Sequence, residues 1–187
     1  MDGRMNRKMI FVALVVAALV VVMVTQYTQN KDESASTSAE IKPKAGFDAP
    51  VVELPDLKGV NVQVGGIGQQ LRFVNFWAAW CGPCELEAPE LQEAFEKYGD
   101  QMSFLGINST KNDRERDARN FVVEQKLTFP IVLDRKGDAT NQYKVNEFPT
   151  SFVLDRNGKI LERINGVVTL ADIERIVKTY GGDRNHG

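Results

Sequence analysis

Leu71-Arg72-Phe73-Val74-Asn75-Phe76-Trp77-Ala78-Ala79-Trp80-Cys81-Gly82-Pro83-Cys84 is the stretch on which the reading of this chain turns. Leu71 to Trp77 is an apolar run of strand length, the pattern of a strand buried on both faces. Glu85 to Tyr98 follows as a predicted helix whose apolar positions include Leu86, Leu91 and Phe95. The chain's two cysteines therefore fall at a strand-to-helix junction. There the helix N-terminus offers unpaired N–H groups and positive partial charge, which favour a thiolate on Cys81. Cys84 lies one turn further on, placed to attack a mixed disulfide formed at Cys81.

Other uses of a Cys-x-x-Cys pair fit less well. A structural zinc site needs four ligands, and the single histidine, His186, stands in a polar C-terminal tail. No metal is expected. A purely structural disulfide would close a tiny loop and restrict the unfolded chain little. Thiol–disulfide exchange is the chemistry the spacing supports.

Outward toward the N-terminus, Arg4, Arg7 and Lys8 precede an unbroken apolar run from Met9 to Val24. As a helix that run is about 24 Å long, and Thr25 to Tyr27 bring it closer to the roughly 30 Å of a bilayer core. Residues 9–27 are predicted to form one transmembrane anchor. The preceding basic residues put residues 1–8 in the cytoplasm and the rest of the chain outside. Cleavage as a signal peptide is the alternative, but Val22-Met23-Val24-Thr25-Gln26-Tyr27 offers no small-residue site. In an extracytoplasmic setting stray thiols become disulfides, and this chain keeps a single pair in a reactive position.

Residues 28–44 are polar and poor in aromatics, a composition that cannot bury a core and reads as a flexible linker. Residues 45–182 have the length of one domain, and 183–187 form a polar tail. The chain carries 23 basic and 25 acidic residues. Setting aside Arg4, Arg7, Lys8, Lys31 and Asp2 leaves 19 against 24, a net −5 that disfavours nucleic acid as a partner.

Within the domain, Val51–Leu54 and Val60–Val64 read as strands around Asp56-Leu57-Lys58-Gly59, an N-terminal β-hairpin. Gly65-Gly66-Ile67-Gly68 lacks the context of a phosphate-binding loop. After the central strand and its helix come a strand at Ser103–Ile107 and an amphipathic helix at about Asp113–Lys126. A short strand at Ile131–Leu133 and a helical turn at Ala139–Tyr143 follow. Ser151–Leu154 and Lys159–Ile164 flank the tight turn Asp155-Arg156-Asn157-Gly158. A last helix runs from about Leu170 to Tyr180, with Thr169 as its N-cap and Gly181-Gly182 as its stop. The expected class is α/β, a mixed central sheet flanked by helices.

These residues carry a resemblance. Asn75-Phe76-Trp77-Ala78-Ala79-Trp80-Cys81-Gly82-Pro83-Cys84 with Glu87-Ala88-Pro89, Phe129-Pro130-Ile131-Val132-Leu133-Asp134, Tyr143-Lys144-Val145, and Phe148-Pro149-Thr150 through Asp155 resemble the TlpA/ResA-like group. Its members are membrane-anchored, extracytoplasmic thiol–disulfide oxidoreductases of the thioredoxin fold. The resemblance implies Cys81 as nucleophile, Cys84 as the more buried resolving thiol and a redox-active disulfide between them, with no cofactor. It implies a proton-shuttling Glu87, whose partial burial would move its pKa toward neutrality. Spacing alone leaves Glu87 equally readable as a surface charge beside Glu85, Glu90, Glu93 and Glu96.

The resemblance also implies that Pro149 is cis and faces the dithiol, with Phe148 as one wall of a peptide groove. Trp80, Gly82, Pro83 and Thr150 complete the substrate-facing surface. The implied client is a disulfide-containing protein, the Cys-x-x-Cys-His site of an apocytochrome c, in cytochrome c maturation. The implied electron donor is a membrane thiol carrier resembling CcdA/DsbD. A broader or sporulation-type thiol reductase is the alternative. A thioredoxin-fold peroxidase would need a hydroxyl before the reactive cysteine, and Ala78-Ala79-Trp80 has none. Two departures stand out: Asn75 occupies the place of a thioredoxin aspartate, and Gly82 the place of an acidic residue in the ResA-like pattern.

Overall fold

The computed structural model describes residue 10 and residues 13–23 and 43–182. Residues 13–23 are helical with exposed side chains, Leu14, Leu19 and Met23 among them. Among the described residues no helix is long and apolar enough to cross a membrane. The predicted span 9–27 extends over residues outside the described ones, as do most of the linker and the tail.

From residue 43 onward the chain builds a five-stranded sheet, a two-stranded ribbon and their helical cover. β1 (Val52–Pro55) pairs antiparallel with β2 (Asn61–Val64) in a separate two-stranded ribbon. The main sheet holds β3 (Leu71–Trp77), β4 (Met102–Asn108), β5 (Ile131–Leu133), β6 (Thr150–Leu154) and β7 (Ile160–Asn165). Their spatial order is β5-β4-β3-β6-β7. β3, β4 and β5 run parallel, while β6 and β7 are antiparallel to their neighbours, so the sheet is mixed. β3 sits at its centre with every residue but Arg72 buried, which is why its sequence is nearly all apolar.

The helices are α1 (Gly82–Tyr98), α2 (Glu115–Glu124), α3 (Asp138–Gln142) and α4 (Leu170–Tyr180). Alternation along β3 divides the core in two. Phe73 and Trp77 face α1, α2 and α4 through Leu91, Phe121 and Ile176. Val74 and Phe76 face α3 and the β1–β2 ribbon through Tyr143, Leu54 and Val64. The result is a three-layer α/β fold of thioredoxin type. At the β6–β7 turn Gly158 has φ +83°, a left-handed conformation suited to glycine, and its Cβ position lies 2.5 Å from the Gly66 carbonyl oxygen.

Several boundaries move from their predicted places. α1 starts at Gly82 rather than Glu85, since Pro83 in the first turn gives up an N–H the helix has no use for. The helix runs on through Pro89. Leu86, grouped above with the apolar positions of α1, is 71% exposed. α2 starts later, at Glu115, because Thr110–Asn112 forms a 3-10 turn of its own. α4 has the predicted Thr169 cap, reinforced by a reciprocal bond from Asp172.

Candidate active site

β3 ends at Trp77, and Ala78 to Trp80 turn the chain into α1. Cys81 is the N-cap of that helix, with extended φ and ψ of −87° and 104°. Its Sγ accepts the backbone N–H of Cys84 at 3.2 Å. A reduced Cys81 sulfur would therefore sit on an N–H donor at the positive end of a 17-residue helix, which favours its thiolate. Cys81 and Cys84 form a disulfide, their Cα atoms 5.2 Å apart. In this oxidised state the two are similarly buried, at 4% and 2% exposure, so the expected contrast between them is small. A Cβ at Gly82 would meet nothing within 4 Å. Packing therefore does not demand glycine there.

Glu87, on the next turn, is not at the surface. It is 1% exposed, and its carboxylate accepts two neutral donors. Oε2 takes the Asn75 side-chain N–H at 2.8 Å, and Oε1 takes the Val168 backbone N–H at 2.8 Å. The same Asn75 nitrogen also donates to Ser151 Oγ at 3.0 Å. Burial pushes the carboxyl up to about 7, with the two N–H donors pulling the other way. No cation is hydrogen-bonded to it among the described residues. Glu87 and Cys84 line one small cavity together with Asn75 and Trp77. A carboxyl that holds and loses a proton near neutrality thus shares a buried space with the second sulfur.

The remaining predicted residues lie on the loops before α1 and β6 and in the first residues of those two elements. The Phe148–Pro149 bond is cis. Phe148 is half-buried, packs against the cluster containing both cysteines, and meets Trp80 edge-on at 5.9 Å between ring centroids. Thr150 is buried, and its hydroxyl donates to the Glu147 carbonyl at 2.9 Å. The Pro149 carbonyl accepts the Gly166 N–H at 2.9 Å, tying its loop to the segment that carries Val168. Trp80 is 63% exposed, and its indole N–H donates to the Asn112 carbonyl at 2.9 Å. Pro83 lies in the exposed first turn of α1. Among the described residues no group of three or more His, Cys, Asp or Glu could hold a metal ion.

Two contributors escape the sequence reading. Asp113 Oδ2 accepts the Ala79 N–H at 2.7 Å and the Asn108 side chain at 2.8 Å, which fixes the loop carrying Trp80. The Asn112-Asp113 pair ahead of a helix is a turn signal that hints at such a role. Val168 acts through its backbone, so no side-chain pattern announces it.

Residues 45–163 match the AhpC/TSA family. The chain is 33% identical over 175 residues to the thiol-disulfide oxidoreductase ResA of Geobacillus kaustophilus, covering 92% of this chain and 95% of that one. It is 29% identical over 160 residues to the thioredoxin-like protein YneN of Bacillus subtilis, covering 85% and 94%. A crystal structure of a putative thiol:disulfide interchange protein DsbE from Chlorobium tepidum superposes with a TM-score of 0.64 at 29% identity, covering 76% of this chain and all of that one.

Proposed function

The chain belongs to the AhpC/TSA family as a ResA-like thiol–disulfide oxidoreductase, and on that footing we propose that it reduces disulfides in extracytoplasmic proteins. In the first step the Cys81 thiolate attacks one sulfur of a client disulfide, and the client's other sulfur leaves as a thiolate. In the second step the Cys84 thiol gives its proton to the Glu87 carboxylate and its sulfur attacks Cys81 Sγ. The Cys81–Cys84 disulfide forms, the second client thiolate leaves, and two electrons have passed to the client. The observation that carries this reading is Glu87, buried in one cavity with Cys84 and met only by neutral N–H donors. Burial pushes its carboxyl up to about 7, where it can take a proton at neutral pH and return it.

The exposed Trp80 and the half-buried Phe148 offer an aromatic edge for the client segment, with Gly82, Pro83, Pro149 and Thr150 around it. The client we propose is an apocytochrome c whose Cys-x-x-Cys-His site must be reduced before haem is attached. A membrane thiol carrier resembling CcdA/DsbD would return the electrons. Residues 9–27 would anchor the chain, with residues 1–8 cytoplasmic and the domain outside. Support for the anchor is the unbroken apolar run behind Arg4, Arg7 and Lys8. Gly82 favours the alternative of a broader client range, since it places no charge beside Cys81 to select among clients.

Cys84→Ser tests both role and client. Without the resolving thiol, clients should accumulate on Cys81 as mixed disulfides that dithiothreitol releases and that mass spectrometry identifies. Membranes yielding no such adduct would remove the reductase reading. Adducts without any Cys-x-x-Cys-His protein would leave the broader range in its place.

A further inference from the structure

Trp77 is buried at 3% exposure and stacks on Phe121 with ring centroids 4.7 Å apart. Its indole nitrogen has no hydrogen-bond partner, one of two buried side-chain polar atoms in that condition among the described residues. The other, Asp134 Oδ1, belongs to a carboxylate that already holds Thr140. A buried donor left without an acceptor is uncommon in folded proteins and asks for an explanation.

The position of the indole supplies one. Gly106 is paired with Asn75 across β3 and β4, on the sheet face that α1 covers. Because Gly106 has no side chain, the indole Nε1 comes to 3.2 Å, and the Phe129 ring to 3.1 Å, from where a Cβ would stand. Trp77 and Phe129 then wall the cavity shared by Asn75, Cys84 and Glu87. That cavity amounts to about 10 Å³, room for one water and nothing larger. Buried waters make about three hydrogen bonds. Here the candidates are two donors, Trp77 Nε1–H and the thiol of reduced Cys84, and one acceptor, the Glu87 carboxylate.

We infer that Trp77 is a positioning residue for the resolving step: its indole N–H anchors a single water that carries the proton between Cys84 and Glu87. This rests on the Glu87–Cys84 proton exchange proposed above and adds the route. The Cys84 thiol passes its proton to the water, and the water passes one of its own to the Glu87 carboxylate. The Cys84 sulfur forms its bond to Cys81 Sγ as the Cys81–client bond breaks, the client thiolate takes the electron pair, and the water is restored. The groups facing Glu87 are Asn75 on β3, the Val168 N–H before α4, and Cys84 on α1. Glu90, the next acid along this side of α1, is engaged instead by the Leu170 N–H at 2.8 Å.

The test uses the reduced full-length chain, mixed rapidly with a disulfide-bonded Cys-x-x-Cys peptide, as wild type, Trp77→Phe and Glu87→Gln. Trp77→Phe keeps an aromatic ring for Phe121 and removes the N–H together with part of the indole's buried volume. Formation of the Cys81–Cys84 disulfide should slow roughly 10-fold, a fraction of a general acid–base contribution. The midpoint of its pH profile should move up, because the water that donates to charged Glu87 is no longer anchored. Trapping on Cys81 in a Cys84→Ser background should proceed at its usual rate with or without Trp77→Phe, since the first attack does not use the water. A wild-type rate and midpoint in Trp77→Phe, with Glu87→Gln impaired, would overturn the Trp77 assignment alone. An unimpaired Glu87→Gln would overturn the proton exchange beneath it. Should Trp77→Phe not fold, the wild-type chain decides: its indole N–H should show cross-relaxation to a bound water in NMR, and a dry indole rejects the relay.

Discussion

Glu87 and Glu115 both stand in the first half of a helix, and the structure treats them in opposite ways. Glu115, at the surface, accepts Arg119 at 2.8 and 3.1 Å and Arg135 at 2.7 and 3.0 Å. The two guanidinium groups hold its carboxyl down at about 2. Glu87 meets only neutral N–H donors in the interior, and burial lifts it to about 7. Partnered by cations, a carboxylate keeps its charge through any neutral solution and acts as a fastener. Arg119 extends that fastening by donating to the Leu57 carbonyl at 2.9 Å, which ties the β1–β2 turn to α2. Partnered by dipoles in a buried site, the same side chain is poised to trade a proton.

The largest expected effect comes from making Glu87 unable to titrate. Glu87→Gln should slow the resolving step about 100-fold, within the usual range for a general acid–base group, and flatten the pH dependence near 7. Stopped-flow reduction of a disulfide peptide between pH 5 and 9 measures both. Retention of a midpoint near 7 in the variant would assign that midpoint to another group.

A second effect is read in stability. Glu87 titrates at about 7 when folded, against 4.5 for an unperturbed glutamate. The folded chain therefore holds this proton more tightly than the unfolded chain does. Its contribution is favourable in acid, falls as pH rises from 4.5 through about 7, and is constant above that. The decline should amount to about 3 kcal/mol, taking 1.36 kcal/mol per pH unit. Urea unfolding of the oxidised chain at pH 4.5 and pH 8 should show it, and Glu87→Gln should remove this component. An equal decline in the variant would mean that other groups dominate the pH dependence.

The contrast also shows how far a sequence can be read. Trp80 to Cys84 at a strand-to-helix junction leads to thiol–disulfide exchange, because turn, helix start and cysteine spacing are all local properties. The thioredoxin fold follows from the resemblance those residues carry. Helical spacing puts Glu87 near Cys84 but cannot bury it. What buries it is the segment carrying Val168, a backbone donor 81 residues away in sequence. Leu86 fails in the reverse direction, since an apolar residue on a helix suggests a core position and this one faces solvent. Gly82-Pro83 looks like loop and is helix, because a first turn tolerates proline. The Trp77 indole is buried as its apolar strand suggests, yet nothing local shows that its N–H would lack a partner. Local patterns are legible; contacts that close over long separations are not.

Glu115→Gln is the smallest of the expected effects and the control for the comparison. Its ion pairs are partly exposed, with 32% exposure for the Glu115 side chain and 42% and 45% for Arg119 and Arg135. Solvent screening therefore limits the loss to about 0.5–1 kcal/mol in urea unfolding at neutral pH. The loss should shrink in 1 M salt, where the screening length is about 3 Å. Because the folded pKa of Glu115 is depressed, its contribution is present above 4.5 and fades as pH falls toward about 2. The wild type and Glu115→Gln should therefore converge in strong acid. The rate and pH profile of disulfide exchange should stay at wild-type values, since Glu115 shares no contact with the cysteines. A shifted exchange profile in Glu115→Gln would mean that the β1–β2 turn and α2 reach the dithiol after all, and the division between fastening and proton-trading carboxylates would fail.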